Sequence, residues 1–159
     1  MSSPLEPTPT PSPRPADAAD GALYDAVATA HGTIYGYGIV SAHSTPEDNY
    51  LVASSMAEHR KRRDEALEML GARSVGAPLP AAGYQLPFGV ENPTDAAKLA
   101  VQMEEDAAVA WRAVVEQATN EQDRAFAVGA LTECAVSAAT WRRVLRLAPI
   151  TIAFPGGSE

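Results

Sequence analysis

One proline-rich stretch in the middle of the chain separates two segments with helical periodicity. Residues 71–93 contain four prolines, Pro78, Pro80, Pro87 and Pro93. Proline inside a helix removes a backbone hydrogen bond and clashes with the preceding turn, so this stretch cannot form one regular element. The segments on either side predict two helical hairpins, at about residues 17–71 and 94–147.

The first hairpin shows apolar residues spaced alternately by four and three, which is typical of a helix that packs in a bundle. A first helix is predicted over residues 17–43, with the stripe Leu23, Val27, Ala30, Ile34, Tyr37 and Ser41. A second helix follows Thr45 and Pro46 and runs to about Gly71, where glycine suits a C-terminal cap. Its stripe is Val52, Met56, His59, Arg63, Ala66 and Leu70.

The second hairpin has clear helix-start residues, because Asn92 and Asn120 are both good N-caps. The third helix, to about Thr119, carries the stripe Leu99, Met103, Ala107, Ala110 and Val114. The fourth, which Pro149 ends, carries Ala127, Leu131, Cys134, Ala138, Trp141 and Leu145. Both hairpins are predicted to be antiparallel because their joins are short.

The long middle connection distinguishes between two kinds of bundle. Helices of about 25 residues are about 37 Å long, and about 20 extended residues can span about 70 Å. The connection can therefore run the whole length of the bundle, whereas a simple up-down bundle needs only a short loop. The predicted fold class is all-α: a ferritin-like four-helix bundle of two antiparallel hairpins joined by a long crossover.

The two ends of the chain differ from this predicted domain, which covers residues 17–159. Residues 1–16 include six prolines and are predicted to form a disordered tail. Residues 150–154 are apolar and β-prone. Because a free apolar strand would be sticky, we expect a short extended C-terminal tail that docks on the bundle or on a second subunit.

Charge and composition exclude several classes of partner. The net charge of −8 argues against nucleic acid and anionic membrane as main partners. No apolar run approaches the ~20 residues of a membrane span, and the N-terminus lacks a signal-peptide pattern, so a cytoplasmic location is expected. The only cysteine, Cys134, cannot form an intrachain disulfide and is predicted to be an inert buried thiol.

Three segments carry a family resemblance: ATAHGTIYGYG at 28–38, AEHRKRRD at 57–64 and APITIAFP at 148–155. They resemble an actinobacterial family identified only as a ferritin-like domain of unknown function. The resemblance covers about residues 20–156 and implies the fold rather than an activity. Members commonly have Glu-His where this chain has Ala30-His31.

Most of a di-metal ligand set is missing. Ferritin-like di-iron sites take one Glu from each of two helices and a Glu-x-x-His from each of the other two. Glu104 is a suitable single carboxylate, but no Glu lies between Asp20 and His43, and no His follows His59. The positions expected to hold other ligands carry Ala30, Lys61 and Val136. A degenerate site without a cofactor is predicted, and Fe or Mn bound through unusual ligands is the lesser alternative.

An internal cluster of Arg or His with carboxylates could replace the charges of the missing metals, since a buried Arg must be paired. The candidates are His31, Glu58, His59, Arg63, Glu104, Asp106 and Glu133. Alternatively, Arg63 extends its charged end into solvent at the helix end.

Two glycines of the first helix, Gly32 and Gly36, lie on the side opposite its apolar stripe. Glycine weakens a helix by up to ~1 kcal/mol. Close approach of another helix, from this chain or from a second subunit, is one reason to have them there, and local tolerance in a long helix is the other.

Three functional hypotheses follow. The leading one is a non-catalytic ferritin-like bundle that acts through protein–protein surfaces as a homodimer, with an unidentified protein partner left open. The second is a divergent di-iron oxidase or ferroxidase. The third is small-molecule binding in the bundle core, where small residues could leave a cavity: Ala30, Gly38, Ala107, Ala110 and Ala135.

Overall fold

Four α-helices make up the computed structural model, which describes residues 10–157. The helices are α1 (Ala18–His43), α2 (Asn49–Ala72), α3 (Pro93–Gln117) and α4 (Glu121–Val144). A short 3-10 helix, Pro46–Asp48, precedes α2, and no strand occurs within the described residues. The all-helical prediction is confirmed. None of these helices is both long enough and apolar enough to cross a membrane.

Side-chain caps define where three of the helices begin. Asp17, Asn92 and Asn120 each accept a hydrogen bond from the backbone N–H three residues later, at 2.8–3.0 Å. These bonds satisfy N–H groups that have no partner within the helix. The predicted starts of α1, α3 and α4 therefore agree with the structure, whereas α2 begins later because residues 46–48 adopt the tighter 3-10 turn.

Two apolar clusters fill the space between the helices. The first joins the beginning of α1 to the end of α2, the end of α3 and the beginning of α4, as shown by Leu23, Leu70, Trp111 and Ala127. The second joins the opposite parts of the helices and includes Tyr37, Val52, Leu99 and Trp141. Each helix therefore contributes to both clusters.

The helix pairs differ in how closely their backbones approach. α3 packs closely on α4, α1 on α3, and α1 on α2. α2 and α4 approach less closely, and long side chains reach across between them. Arg62 of α2, for example, donates to the carbonyl oxygen of Ala130 on α4 at 2.9 Å. This face is the loosest of the bundle.

The connection between α2 and α3, residues 73–92, contains no helix or strand. It contacts α1 at two places: the carbonyl oxygen of Pro78 lies 3.2 Å from His31 Nε2, and the rings of Tyr84 and Tyr35 are 5.4 Å apart. These contacts hold part of the connection against the middle of α1.

Arg73 connects three helices at the end of the bundle that contains the first apolar cluster. Its guanidinium donates to Asp20 near the beginning of α1 at 3.0 Å and to Asp123 near the beginning of α4. Burial lowers the pKa of Arg73, but the bonds to both carboxylates outweigh this and leave the pKa raised. One side chain thus links the ends of three helices.

The two ends of the described chain also lie against helices. Tyr24 donates to the carbonyl oxygen of Ser12 at 2.6 Å, and Arg14 pairs with Asp25 at 2.9 Å. Residues 10–16, which were predicted to be disordered, thus contact α1, while residues 1–9 and 158–159 lie outside the described part. In the C-terminal segment Gly156 has a φ of +73° and rests on the carbonyl of Ala108 in α3.

Candidate functional site

Glu104 of α3 lies at the centre of a buried polar cluster and has no solvent exposure. Its Oε1 accepts hydrogen bonds from Tyr37 at 2.5 Å, from Ser137 at 2.9 Å and from His59 at 3.0 Å. An ionised carboxylate only accepts, so His59 carries a proton on Nε2 in this arrangement. The four residues come from four different helices, and Glu104 therefore joins all of them.

A second layer of contacts orients these donors. Tyr37 accepts from the indole N–H of Trp141 at 3.1 Å, and the hydroxyls of Ser55 and Ser137 are 3.1 Å apart. The helical repeat explains the grouping, because residues three, four or seven apart share one face. On α2 these are Ser55, His59 and Arg62, and on α4 they are Cys134, Ser137 and Trp141.

The electrostatics favour an ionised Glu104. Burial acts to raise the pKa of Glu104, but the hydrogen bond and charge of His59, with the bonds from Tyr37 and Ser137, hold it below its ordinary value. Burial and the charge of Glu104 raise the pKa of Tyr37 well above its ordinary value. Tyr37 therefore remains neutral and donates its hydroxyl proton to the ionised carboxylate in a stable hydrogen bond.

Cys134 and Arg62 extend the cluster along α4. The Arg62 guanidinium is buried and donates to Cys134 Sγ at 3.2 Å as well as to the Ala130 carbonyl. Burial, followed by the charge of Glu104, raises the pKa of the Cys134 thiol to about 12. The thiol is thus protonated at neutral pH.

Three side chains of the cluster could also hold a metal ion. His59, Glu104 and Cys134 are all buried, and one potential ligand atom from each lies within 4.8 Å of the other two. They come from α2, α3 and α4 and provide one nitrogen, one oxygen and one sulfur donor. The second oxygen of Glu104, Oε2, is buried and has no hydrogen-bond partner among residues 10–157.

The structure brings together only two of the seven predicted cluster candidates, His59 and Glu104. His31 is buried but lies away from Glu104, against the Pro78 carbonyl. Burial, partly offset by that hydrogen bond, lowers the pKa of His31. Glu58 is partly exposed at the edge of the cleft between α2 and α4.

The other three candidates lie at the surface. Arg63 pairs with its neighbour Asp64 at 2.8 Å, Asp106 is exposed and accepts from Gln102, and Glu133 is half exposed, 3.6 Å from Arg62. The cation that enters the core is Arg62, one residue before the predicted Arg63. The reason is that α2 buries the residues at positions 52, 55, 59, 62, 66 and 70. The predicted stripe instead went from 52 to 56 and so included residue 63 in place of residue 62.

Several members of the cluster were interpreted as packing residues or not singled out in the sequence. Tyr37, Cys134 and Trp141 lie on the predicted apolar stripes, and their polar atoms gave no separate signal. One sequence signal could have identified Ser55, Arg62 and Ser137 as members of the cluster. Each lies at helical spacing, three or four residues, from His59 or Cys134. A polar stripe of this kind inside an apolar helix face indicates a hydrogen-bonded core.

The two glycines of α1 that were predicted to allow helix contacts, Gly32 and Gly36, have different neighbours. A Cβ at Gly36 would overlap the sulfur of Met103 on α3, so this glycine allows a close helix contact within the chain. A Cβ at Gly32 would instead lie 3.4 Å from the ring of Tyr84 in the connection. Neither contact involves a second subunit.

Two surface grooves adjoin the cluster. A groove of about 400 Å³ lies between α3, α4 and the C-terminal segment, and its lining includes Ala135, Val136, Ile150 and Ile152. A second, of about 310 Å³, lies between α2 and α4 and is lined by Ser55, Arg62, Ser137 and Trp141 among others. The second groove leads from the loosest face of the bundle toward the cluster.

A comparison with known protein families identifies the family of this chain. Residues 22–159 match the family described as domain of unknown function DUF4439. The chain belongs to the DUF4439 family. The resemblance to a family of unknown function is thereby confirmed. A search of curated proteins found no match.

This DUF4439 chain is also similar to a solved structure. The crystal structure of a conserved hypothetical protein from Mycobacterium tuberculosis is 58% identical and has a TM-score of 0.80. The match covers 82% of this chain and 98% of the mycobacterial one. The two chains therefore share a fold.

Proposed function

We propose that this DUF4439 chain is a non-catalytic ferritin-like bundle that acts through its outer surface as a homodimer. The observation that carries the proposal is an uncovered apolar strip on α4. Val136 is 61% exposed and Val128 is 46% exposed on this helix, and the C-terminal Phe154 is 66% exposed. Val128 and Val136 lie two turns apart on one side of α4, and exposed apolar patches typically mark sites of protein association.

The packing of the helix ends supports the ferritin-like connectivity. Leu70 near the end of α2 belongs to the first cluster, whereas Ala96 near the beginning of α3 belongs to the second. Residues 73–92 then pass from one end of the bundle to the other, and α2 and α3 run in the same direction. A crossover of this length is the feature that distinguishes ferritin-like bundles from simple up-down ones.

The residues around Glu104 support the loss of di-metal chemistry. A di-iron site would place further carboxylates and histidines on the other three helices at this level. Here Tyr37, Arg62 and Ser137 occupy the space, with His59 as the only imidazole bonded to Glu104. Hydrogen bonds to Glu104 thus stabilise the part of the core where a di-iron site would hold its metals and their other ligands.

The uncovered strip has a regular composition, and we call it the α4 outer face. Its members lie within one side of the helix at helical spacing: Glu121, Ala125, Val128, Thr132, Val136 and Arg143. All six residues are exposed, and Ala139, which continues the same spacing, is partly exposed. The face is apolar in the middle, acidic at its beginning and basic at its end.

This charge distribution favours a second copy of the chain as the occupant. If two α4 helices pair antiparallel about a two-fold axis at Thr132, Val128 meets Val136 of the second copy. The same axis brings Glu121 to Arg143 of the second copy, and each contact occurs twice. Such a self-complementary patch is what a two-fold dimer requires.

The mass of the purified protein in solution tests the proposal. We expect a dimer by light scattering coupled to size exclusion, and Val136→Glu should weaken dimerisation at least about tenfold because it buries a charge at the centre of the interface. Tyr50→Glu is the matched control, since Tyr50 is 69% exposed on α2 and lies outside the α4 outer face. A monomeric wild-type protein at high concentration would refute the homodimer.

A charge exchange tests the pairing itself. Glu121→Arg and Arg143→Glu should each weaken the dimer, because each places like charges opposite one another. The double variant restores opposite charges and should recover most of the affinity. If the double variant is as weak as the sum of the single ones, the antiparallel pairing is wrong even if a dimer exists.

A further inference from the structure

We propose that the bundle core binds one zinc-class divalent ion through His59, Glu104 and Cys134. The three side chains are buried, and their donor atoms lie within 4.8 Å of one another. Imidazole nitrogen, carboxylate oxygen and thiolate sulfur are the donors that Zn²⁺ takes in proteins, usually with tetrahedral geometry. The inference goes beyond the proposed function, which concerns the outer surface.

An unpartnered oxygen is the second observation that points to a ligand. Glu104 is fully buried, and its Oε2 accepts no hydrogen bond within residues 10–157, although Oε1 accepts three. Most buried polar atoms have a partner, and each exception requires an explanation. An ion at the cluster would coordinate the carboxylate and satisfy this oxygen.

The geometry requires only small side-chain movements. With bonds of about 2.0–2.3 Å, a tetrahedral zinc ion holds its donors about 3.5 Å apart. Shifts of about 1 Å in the three side chains would bring the donors to that separation. An ion could approach through the groove between α2 and α4, whose backbones approach less closely than those of the other neighbouring helix pairs, and water would complete the coordination.

The protons and charges of the binding step can be followed. Glu104 is already ionised, His59 gives up the proton on Nε2 and coordinates as a neutral imidazole that is protonated on Nδ1, and Cys134 gives up its thiol proton as the metal–sulfur bond forms. Both released protons pass to water. Arg62, 3.2 Å from Cys134 Sγ, keeps its charge and donates an N–H to the thiolate. Such outer contacts orient metal ligands in known sites.

This site differs from the missing di-metal centre. It holds one ion rather than two, uses a thiolate, and requires no carboxylate on α1 or α2. A single ion bound this way would cross-link α2, α3 and α4 in the part of the molecule where α2 and α4 are otherwise held by side chains alone.

Cobalt is a suitable probe because its spectrum reports the ligands. We expect the metal-free full chain to bind one equivalent of Co²⁺ and to develop tetrahedral visible bands with a thiolate-to-cobalt charge-transfer band. Since Cys134 is the only cysteine of the chain, that band can come only from Cys134. Zn²⁺ should displace the cobalt and abolish the spectrum.

Variants test the other ligands. Cys134→Ser should remove the charge-transfer band, and His59→Gln and Glu104→Gln should each weaken Co²⁺ binding at least about tenfold. His31→Gln is the control, because His31 is buried against Pro78 and should bind cobalt as the wild type does. Circular dichroism checks that each variant folds, and if one does not, the wild-type spectrum decides.

The inference is overturned if the wild-type protein shows no charge-transfer band at saturating Co²⁺, or if the band persists in Cys134→Ser. It is also overturned if His31→Gln weakens binding as much as His59→Gln. The solution mass is independent of these spectra, so failure of the metal site leaves the dimer proposal to its own test.

Discussion

At the scale of single residues, Glu104 determines the character of the core. A buried carboxylate is stable only when charge and hydrogen bonds compensate for the lost hydration, and three donors from three other helices supply them. Removing Glu104 takes away the acceptor that Tyr37, His59 and Ser137 share. The cluster is therefore sensitive to substitution at its centre.

Glu104→Gln should lower the free energy of unfolding by about 3 kcal/mol at pH 7, the cost of breaking a buried pair. The pKa of Glu104 is lowered in the folded chain, so its stabilising contribution is present above the ordinary carboxyl pKa of about 4.3. As the pH falls through the lower folded pKa, that contribution is lost.

Urea unfolding at pH 7 and pH 3 measures the effect. The difference between the wild type and Glu104→Gln should be smaller at pH 3, which lies below the ordinary carboxyl pKa, so that the wild type has lost part of this advantage. Asp106→Asn, at an exposed carboxylate on the same helix, should change stability by less than about 0.5 kcal/mol at either pH. An equal difference at both pH values would contradict the assignment of an ionised Glu104.

Single residues also show where prediction from the sequence stops. His59 and Glu104 could be recognised as core candidates because each is a polar residue near an apolar stripe. Arg62 could not be distinguished from Arg63, since the two are adjacent and the stripe of α2 can be stepped by three or by four after Val52. Only packing against α4 determines that Arg62 is buried.

At the scale of elements, helix starts were predictable because their signals are local. Asn92 and Asn120 cap α3 and α4 with bonds to residues three positions later, and Pro93 occupies the first helical position of α3. The 3-10 turn before α2 was not predicted, because Thr45 and Pro46 suit either kind of helix. Contacts between elements, such as that of Gly36 with Met103, depend on the tertiary fold.

Gly36→Ala should destabilise the protein by about 1 kcal/mol, since the added Cβ would overlap the sulfur of Met103 and force this buried side chain to repack between α1 and α3. Gly38→Ala, two residues further along the same helix, has open space around it. It should stabilise the protein by about 0.5–1 kcal/mol through the higher helix propensity of alanine. Thermal unfolding of the two variants should thus shift in opposite directions, and a shift in the same direction would contradict the close contact.

At the scale of the whole molecule, the apolar periodicity, the helix caps and the proline-rich connection were enough to predict four helices. The loose face between α2 and α4 could not be predicted, because every helix shows an apolar stripe and none indicates how closely its partner approaches. The same face contains the groove lined by Ser137, which donates to Glu104, and Thr132 and Val136 of the α4 outer face also line this groove. Access to the core and association of subunits would therefore both depend on α4.

The link made by Arg73 has a consequence for the order of folding. Its partners Asp20 and Asp123 are 53 and 50 residues away along the chain. Since these bonds require α1 and α4 to have docked at the end of α2, we expect them to form late in assembly. Interactions absent from the folding transition state affect only the rate of unfolding.

Arg73→Gln should therefore speed unfolding by about fivefold and leave the folding rate unchanged. Stopped-flow measurements across a range of urea concentrations separate the two rates, and Arg63→Gln, which removes a pair between sequence neighbours, should alter neither by more than about twofold. Slower folding of Arg73→Gln would show that this end of the bundle assembles early. If only unfolding changes, Arg73 acts as a kinetic lock, which sets how long the native molecule persists rather than how fast it forms.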